Sequence, residues 1–256
     1  QGYFRMFPFV NGSHTVDVVQ SPSQAYEAAR QFGKFTNLLS GFDTSQLKIT
    51  IPDFHNLSLR YQQFEYSLIH GNTERIREAD KSIQNIKQHF DIVQKFEHIK
   101  SDSAFKLRVT HHDTKISNVL FDDNNQGLCV IDLDTVMPGY FISDVGDMLR
   151  TYLSNVSEEE KDLSKIEVRE EIFRAIIEGY GREMKNELSG PEKEHFVYAG
   201  KFMTYMQAIR FLTDYLSNDI YYGAKYPDHN FVRGNNQLVL LKQLIEKEKL
   251  FNGISF

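Results

Sequence analysis

The chain has 256 residues, of which 41% are hydrophobic, and a formal charge of −6 at pH 7. This length fits one large domain or two small ones and supplies enough apolar side chains for a substantial core. The negative charge disfavours sequence-independent nucleic-acid binding, which depends on Lys and Arg neutralising phosphates. We therefore expect no nucleic-acid partner.

The cysteine and hydropathy patterns bear on the compartment. Cys129 is the only cysteine, so no intramolecular disulfide can form, and we expect a buried thiol in a cytoplasmic protein. No run of about 18 apolar residues occurs, so no membrane span or membrane partner is expected. The opening "QGYFRMFPFV" has neither a Met start nor a signal-peptide pattern, and we expect that a segment preceded it.

The first part of the chain predicts one strand and one helix. The aromatic-rich residues 2–10 favour a strand. Ser21 followed by Pro22 and Gln24 predicts the start of a helix, with Ser21 as its N-cap. Gly41 is suited to ending that helix.

Two further helices follow. Residues 57–69 predict the first, which the turn "HGNT" closes. Thr73 is expected to cap the second, a long amphipathic helix whose apolar residues recur at spacings of three and four as far as Phe96.

The pattern changes at Phe105, where "FKLRVT" is strand-like. Residues 119–121 and 128–131 predict two short strands that the turn sequence "DDNNQG" joins. The sequence thus predicts a small β-hairpin in a helical background, an α+β class that is mainly helical. Four more helices are expected at residues 144–153, 165–178, 192–217 and 236–251.

The hairpin region carries the candidate chemistry. His111, Asp113 and Asn118 match the pattern H-x-D-x-x-x-x-N of kinase catalytic loops, and Asp132 ends the following strand. Phosphoryl transfer needs a carboxylate to orient the attacking hydroxyl, and Mg²⁺ prefers a few oxygen ligands together with substrate phosphates. The spacing therefore indicates a metal–phosphate site.

Other interpretations of these residues remain open. The acids and the amide could be ordinary turn residues, and His111 is expected to be structural. His112 could face the site or pack. A zinc site at His111, His112 and Asp113 has little support, because adjacent histidines point apart. Asp132-Leu133-Asp134 lacks the Phe and Gly of D-F-G, so no switch of that type is expected.

Three segments resemble one family: "VTHHDTKISNVLFD", "VIDLDTVMPG" and "SDVGDMLR" are similar to the aminoglycoside-phosphotransferase-like kinases, and most similar to their N-acetylhexosamine 1-kinase branch. The resemblance extends over the whole chain. It implies a protein-kinase-like C-terminal lobe, with residues 1–20 as the last N-lobe strand and hinge. Residues 21–256 would form the helical catalytic and sugar-binding lobe.

The resemblance implies a reaction and its residues. The family phosphorylates the anomeric hydroxyl of N-acetylglucosamine or N-acetylgalactosamine with ATP and Mg²⁺. Asp113 would be the catalytic base, and Asn118 and Asp132 would bind Mg²⁺. Asp144 would brace the catalytic loop through its backbone N–H groups, although it could instead be a plain helix N-cap. Asp134 would have a supporting role.

The sugar site is expected in "AIRFLTDYLSNDIYYG". By the resemblance, Arg210 and Tyr221 would contact the hydroxyl and acetamido groups, with Tyr222 as an alternative to Tyr221. The competing interpretation pairs Arg210 with Asp214, four residues further along the helix. Additional candidates for the site are His112, His55 and Asn56.

The nucleotide side of the site is less complete in the sequence. The hinge residues Phe9 and Val10 could offer backbone groups to adenine. No G-x-G-x-x-G occurs, and the first lysine, Lys34, already lies in a predicted helix. We therefore expect the N-terminal lobe to be largely missing and the chain alone to have little or no activity. Self-association through the exposed inter-lobe face is possible.

Three alternative functions remain at this point. The chain could phosphorylate another small alcohol or amine, such as an aminoglycoside, choline or homoserine. It could be a metal-dependent hydrolase of phosphate or sulfate esters that uses Asp113, Asn118 and Asp132 as ligands. It could also be a non-catalytic scaffold that keeps the fold.

Overall fold

The computed structural model describes residue 4 and residues 6–254, and within them the predicted mainly helical α+β class is confirmed. The helices are α1 (Pro22–Leu38), α2 (Leu57–His70), α3 (Thr73–Glu78), α4 (Asp80–Gln88), α5 (Asp91–Ser101), α6 (Phe141–Tyr152), α7 (Glu170–Met184), α8 (Gly190–Glu194), α9 (Phe196–Leu216), α10 (His229–Glu246) and α11 (Glu248–Phe251). The strands are β1 (Arg108–Thr110), β2 (Val119–Phe121), β3 (Gly127–Val130) and β4 (Met137–Gly139).

The core is built around α9, which is buried on nearly every side and packs against α2, α6 and α10. An all-round apolar helix is stable only inside such a core. The second main contact joins α1 to α7. Within the described residues, no helix combines the length and the hydropathy needed to cross a membrane.

The predicted start of α1 is confirmed. Ser21 Oγ accepts the N–H of Gln24 at 3.3 Å, and Pro22 is the first helical residue. The Gln24 side chain accepts the N–H of Gln20, outside the helix. Gly41 has φ +81° in the turn after α1. The predicted helix α2 is also confirmed, with one further residue at its end.

The single long helix predicted after it is wrong, because the chain forms α3, α4 and α5 with bends at Ala79 and at His89–Phe90. Asn72, not Thr73, caps α3: its Oδ1 accepts the N–H of Glu74 at 3.0 Å. Apolar spacing could not detect the bends, since all three segments turn their apolar side to the same core.

The predicted strand over residues 2–10 is not formed by residue 4 or residues 6–10, and residues 1–3 and 5 lie outside the described residues. No described strand lies beside that segment to complete a ladder. The first pairing is at His14, whose N–H and C=O each bond Phe121 at 2.9 Å.

The predicted hairpin is confirmed: β2 pairs antiparallel with β3, which begins and ends one residue earlier than expected. "FKLRVT" contributes only β1, which pairs antiparallel with β4. Strand β4 was not predicted, because Pro138 lies within it and proline argues against a strand.

The later helices exist but have different bounds. Helix α6 begins three residues before the predicted start, and α7 begins five residues after it. The predicted helix 192–217 is divided at His195, and the predicted helix 236–251 starts at His229 and is divided at Lys247. The division of the chain at residue 20 stays a prediction.

The contact between α1 and α7 depends on Gly179. A Cβ at this position would lie 2.3 Å from the carbonyl oxygen of Tyr26 in α1, closer than side chains tolerate.

We predict that Gly179→Ala lowers the free energy of unfolding by about 1–3 kcal/mol, because the two backbones must separate, although alanine favours a helix. Urea unfolding measures the change. Glu178→Ala, at an exposed position of the same helix, is the matched control. Equal stability of the two variants would contradict the close packing.

Candidate active site

Helix α6 holds the loop of residues 111–118 by its backbone. The two carboxylate oxygens of Asp144 accept the N–H groups of His111 at 3.0 Å and His112 at 2.7 Å. The N-cap of α6 is Tyr140, so the interpretation of Asp144 as a plain N-cap is wrong. Asp144 is fully buried, and its charge is therefore balanced mainly by these N–H dipoles.

Two more residues of α6 continue this support. Asp147 Oδ2 accepts the N–H of Thr114 at 2.8 Å, and the hydroxyl of Tyr152 donates to the Thr114 carbonyl at 2.6 Å. The Thr114 hydroxyl donates back to the carbonyl of Asp144 at 2.7 Å. The sequence analysis did not single out Asp147; its spacing of three from Asp144, on one helix face, was the available signal.

The carboxylate of Asp113 is fixed within this loop. The Asn118 amide donates to the Asp113 carbonyl at 2.8 Å and to its Oδ2 at 3.0 Å. The His111 ring contacts the same residue: its Nδ1 accepts the Asp113 N–H at 3.3 Å, while Nε2–H donates to the Ile131 carbonyl at 3.0 Å. His111 is fully buried against the Phe32 ring, which suits the structural role expected for it.

Lys115 lies beside Asp113, a contact that the sequence analysis missed. Its Nζ is 3.0 Å from Asp113 Oδ2. Burial lowers the pKa of Lys115, but the hydrogen bond and charge of Asp113, followed by the charges of Asp132 and Asp147, outweigh it and raise the pKa above its ordinary value. A cation is thus stabilised among these carboxylates.

Asp132 follows β3 with φ 60° and ψ 63°, in the left-handed region that Asp tolerates better than most residues. It opens the short turn Leu133–Thr135, and the Thr135 hydroxyl donates to the His111 carbonyl at 2.5 Å. Asp134 lies exposed in the same turn, and its supporting role stays a prediction.

The donors present fit Mg²⁺. Both amide hydrogens of Asn118 point at Asp113, so its Oδ1 faces the other way and is available as a ligand together with Asp132. Mg²⁺ takes few protein oxygens and completes its shell with water and phosphate. Among the described residues, no group of three or more His, Cys, Asp or Glu is placed to hold a metal ion.

His112 connects the loop to His55, which lies just before α2. Thr110 donates its hydroxyl to the Met137 carbonyl at 3.0 Å, so it accepts Nε2–H of His112 at 2.9 Å. His112 Nδ1 is then an acceptor, 3.3 Å from Nδ1 of His55. Burial lowers the pKa of His112; burial and nearby positive charges lower that of His55 further.

A cavity of about 570 Å³ lies between α2 and α9 and is lined by the residues predicted to bind the sugar. Arg210, Tyr221 and Tyr222 line it. The pairing of Arg210 with Asp214 is wrong: the Asp214 carboxylate accepts the N–H of Tyr221 at 2.7 Å and of Tyr222 at 2.9 Å. Arg210 donates to Gln207 at 3.2 Å instead.

Arg60 also lines the cavity and was not predicted. The Phe54 ring lies 5.8 Å from the Arg210 guanidinium and is stacked on His55 at 4.4 Å. His55 and Asn56 lie in a second cavity of about 240 Å³, which His112 also lines.

A series of ion pairs leads from the loop to the cavity between α2 and α9. Arg150 pairs with Asp147 at 3.0 Å and with Glu158 at 2.8 Å, and Glu158 also pairs with Arg233. The Arg233 guanidinium lies 5.2 Å from the Tyr222 ring. Burial alone would raise the pKa of Glu158, but the charges of Arg150 and Arg233 hold it below its usual value.

The hinge candidates lie at the other end of the described chain. Phe9 is exposed, and the Val10 carbonyl accepts the Ser13 hydroxyl at 2.7 Å. Their contact with adenine stays a prediction.

Comparisons with known proteins give a family match and similar folds. Residues 1–185 match the model of the phosphotransferase enzyme family, APH. The choline kinase of Cryptosporidium parvum Iowa II is similar in structure, with a TM-score of 0.54, 15% identity, and coverage of 94% of this chain and 71% of that one. An aminoglycoside phosphotransferase of Alicyclobacillus acidocaldarius is also similar in structure, with a TM-score of 0.62 and 12% identity. The match covers 96% of this chain and 70% of that one. At these identities the likeness shows the fold alone.

We predict that Asp144→Asn lowers the free energy of unfolding by about 2–4 kcal/mol, because an amide cannot accept from both N–H groups with full charge. Urea unfolding tests this. Asp123→Asn, in the exposed hairpin turn, is the control and should change stability little. A loss no larger than that of the control would refute the bracing role.

Because the pKa of His112 is lowered, we predict that the free energy of unfolding decreases in acid. The folded state binds fewer protons than the unfolded state, so stability is fully present above about pH 6.5 and falls below it, at up to about 1.4 kcal/mol per pH unit. Unfolding of His112→Asn between pH 6.5 and 5 should show a shallower slope, whereas His70→Asn, exposed on α2, should keep the original slope. Equal slopes in all three proteins would be inconsistent with a neutral buried His112.

Proposed function

Because the chain belongs to the phosphotransferase enzyme family, we propose that it carries the base and the acceptor site of an ATP- and Mg²⁺-dependent kinase. The proposed acceptor is the anomeric hydroxyl of an N-acetylhexosamine. The observation that carries the proposal is the fixed carboxylate of Asp113. Ion pairs that start at Asp147 lead from its loop to Tyr222, in the wall of a cavity lined by arginine and tyrosine.

Asp113 is suited to act as the base. Asn118 and Lys115 contact its Oδ2, which leaves Oδ1 to accept a hydrogen bond from the sugar hydroxyl. As the sugar oxygen bonds to the γ-phosphorus, its proton passes to Asp113, the bond to the bridging oxygen breaks and ADP leaves. Mg²⁺ held by Asn118 and Asp132 would neutralise charge on the phosphates.

The charge of the cavity favours a neutral acceptor over a cationic one. Arg60 and Arg210 line it, and among its described lining residues the only carboxylate is Asp214. Two backbone N–H groups occupy that carboxylate. Choline or an aminoglycoside would meet two guanidinium groups without a free acid, so like-charge repulsion disfavours them.

The same residue types suit a sugar. Tyr221 and Tyr222 present aromatic faces, with ring centroids 4.8 Å apart and nearly perpendicular. Arginine and tyrosine can donate to sugar oxygens and to the acetamido carbonyl. An ester hydrolase remains less favoured, since the family transfers phosphoryl groups to acceptors.

A panel of acceptors tests this choice. ADP release by the full-length product of the gene is measured with N-acetylglucosamine, N-acetylgalactosamine, choline, homoserine and an aminoglycoside. The proposal expects turnover with an N-acetylhexosamine and little with the cations. Preference for a cationic acceptor would overturn it.

The role of Asp113 gives a separate prediction. Asp113→Asn keeps the side-chain size but removes the proton acceptor, so kcat should fall by about 10²-fold or more. The same ADP assay measures the loss, with Asp123→Asn as the control for a lost surface charge. Activity that survives unchanged would show that Asp113 is not the base.

A further inference from the structure

Two guanidinium groups share the acceptor cavity without an acidic partner. Arg60 comes from α2 and Arg210 from α9, and both line the same space of about 570 Å³. The other arginines of this network, Arg150 and Arg233, are ion-paired with buried or half-buried carboxylates. Arg60 and Arg210 make no ion pair with any described residue.

Their hydrogen bonds leave most donors unused. Arg60 donates to the Asp53 carbonyl at 2.8 Å and to the Gln63 side chain at 3.0 Å, while its Nε is buried without a partner. Within the part of the chain that the structure describes, Arg210 donates only to Gln207, at 3.2 Å. A guanidinium has five N–H donors, so each of these two cavity-lining arginines keeps donors without a partner among the described residues.

This arrangement is electrostatically unfavourable when the cavity is empty. Burial and then the charge of Arg210 lower the pKa of Arg60. The charge of Asp53 offsets part of this lowering, but its carboxylate also accepts from Asn56 at 2.8 Å, and the Asp214 carboxylate accepts backbone N–H groups. A negative ligand group would remove the repulsion and satisfy the open donors.

A series of side-chain contacts leads from Arg210 to the loop that carries Asp113. Arg210 faces the Phe54 ring, Phe54 stacks on His55, and His55 contacts His112, which precedes Asp113. On this path, an acceptor whose hydroxyl lies at Asp113 would pass His55 before a substituent meets the two arginines.

We propose that Arg60 and Arg210 together bind an oxyanion substituent of the acceptor, so that the preferred substrate is an acidic sugar that bears a carboxylate. This inference rests on the proposed sugar kinase function. It goes beyond that function by assigning Arg60 to the site and by fixing the charge of the substrate.

The test compares acidic sugars with their neutral parents. Full-length protein is assayed for ADP release with N-acetylmuramic acid against N-acetylglucosamine, and with glucuronic acid against glucose; calorimetry measures binding of each. At least one acid should show kcat/KM about 10- to 100-fold above its parent, the worth of a charge-assisted hydrogen bond. The advantage should shrink as NaCl is added.

Charge-removing variants assign the effect. In Arg60→Gln and Arg210→Gln the ratio of acidic to neutral kcat/KM should fall towards one, whereas Arg174→Gln, exposed on α7 and paired with Glu170, should keep it. If neither acid exceeds its parent, or if the ratio survives in both variants, the inference fails.

Failure of the two proposals can be told apart. Phosphorylation of N-acetylglucosamine without any preference for acids would leave the kinase function standing and overturn the oxyanion site. If no sugar is phosphorylated, the kinase proposal fails, and the calorimetric comparison of acids with parents still decides the oxyanion site.

Discussion

The site depends on one buried carboxylate. Asp144 is fully buried, and its oxygens hold the N–H groups of His111 and His112. His112 has φ +67°, an uncommon conformation for such a residue, and this capture of adjacent N–H groups stabilises it. Because the loop backbone is fixed there, Asp113 is held where the Asn118 amide reaches both its carbonyl and its carboxylate.

From this constraint the charges extend outward in one direction. Asp147 binds the loop at Thr114 and pairs with Arg150. Arg150 pairs in turn with Glu158, and Glu158 pairs with Arg233. Arg233 lies beside Tyr222, in the wall of the cavity between α2 and α9. Buried pairs of this kind stabilise little in total but are costly to break singly. We therefore interpret the network as one that positions the Asp113 loop relative to the wall of this cavity.

The sequence predicted what is local and missed what the tertiary fold brings together. The spacing of Asp113 and Asn118 and the hairpin lie within one short segment, so pattern was sufficient to find them. Arg60 is far from Arg210 in the chain, and nothing local indicates that α2 and α9 share a cavity. Strand β4 was not predicted because it contains a proline. The bends after Ala79 were not predicted because the apolar spacing continues across them.

In the proposed reaction, the γ-phosphoryl group passes to the anomeric oxygen of a sugar with Asp113 as base. The most direct measurement is ³¹P NMR of full-length protein with ATP, Mg²⁺ and N-acetylglucosamine. We expect a new sugar 1-phosphate signal, coupled to the anomeric proton, that grows in step with ADP and is nearly absent with Asp113→Asn. Formation of inorganic phosphate alone, or a phosphate on another hydroxyl, would contradict it.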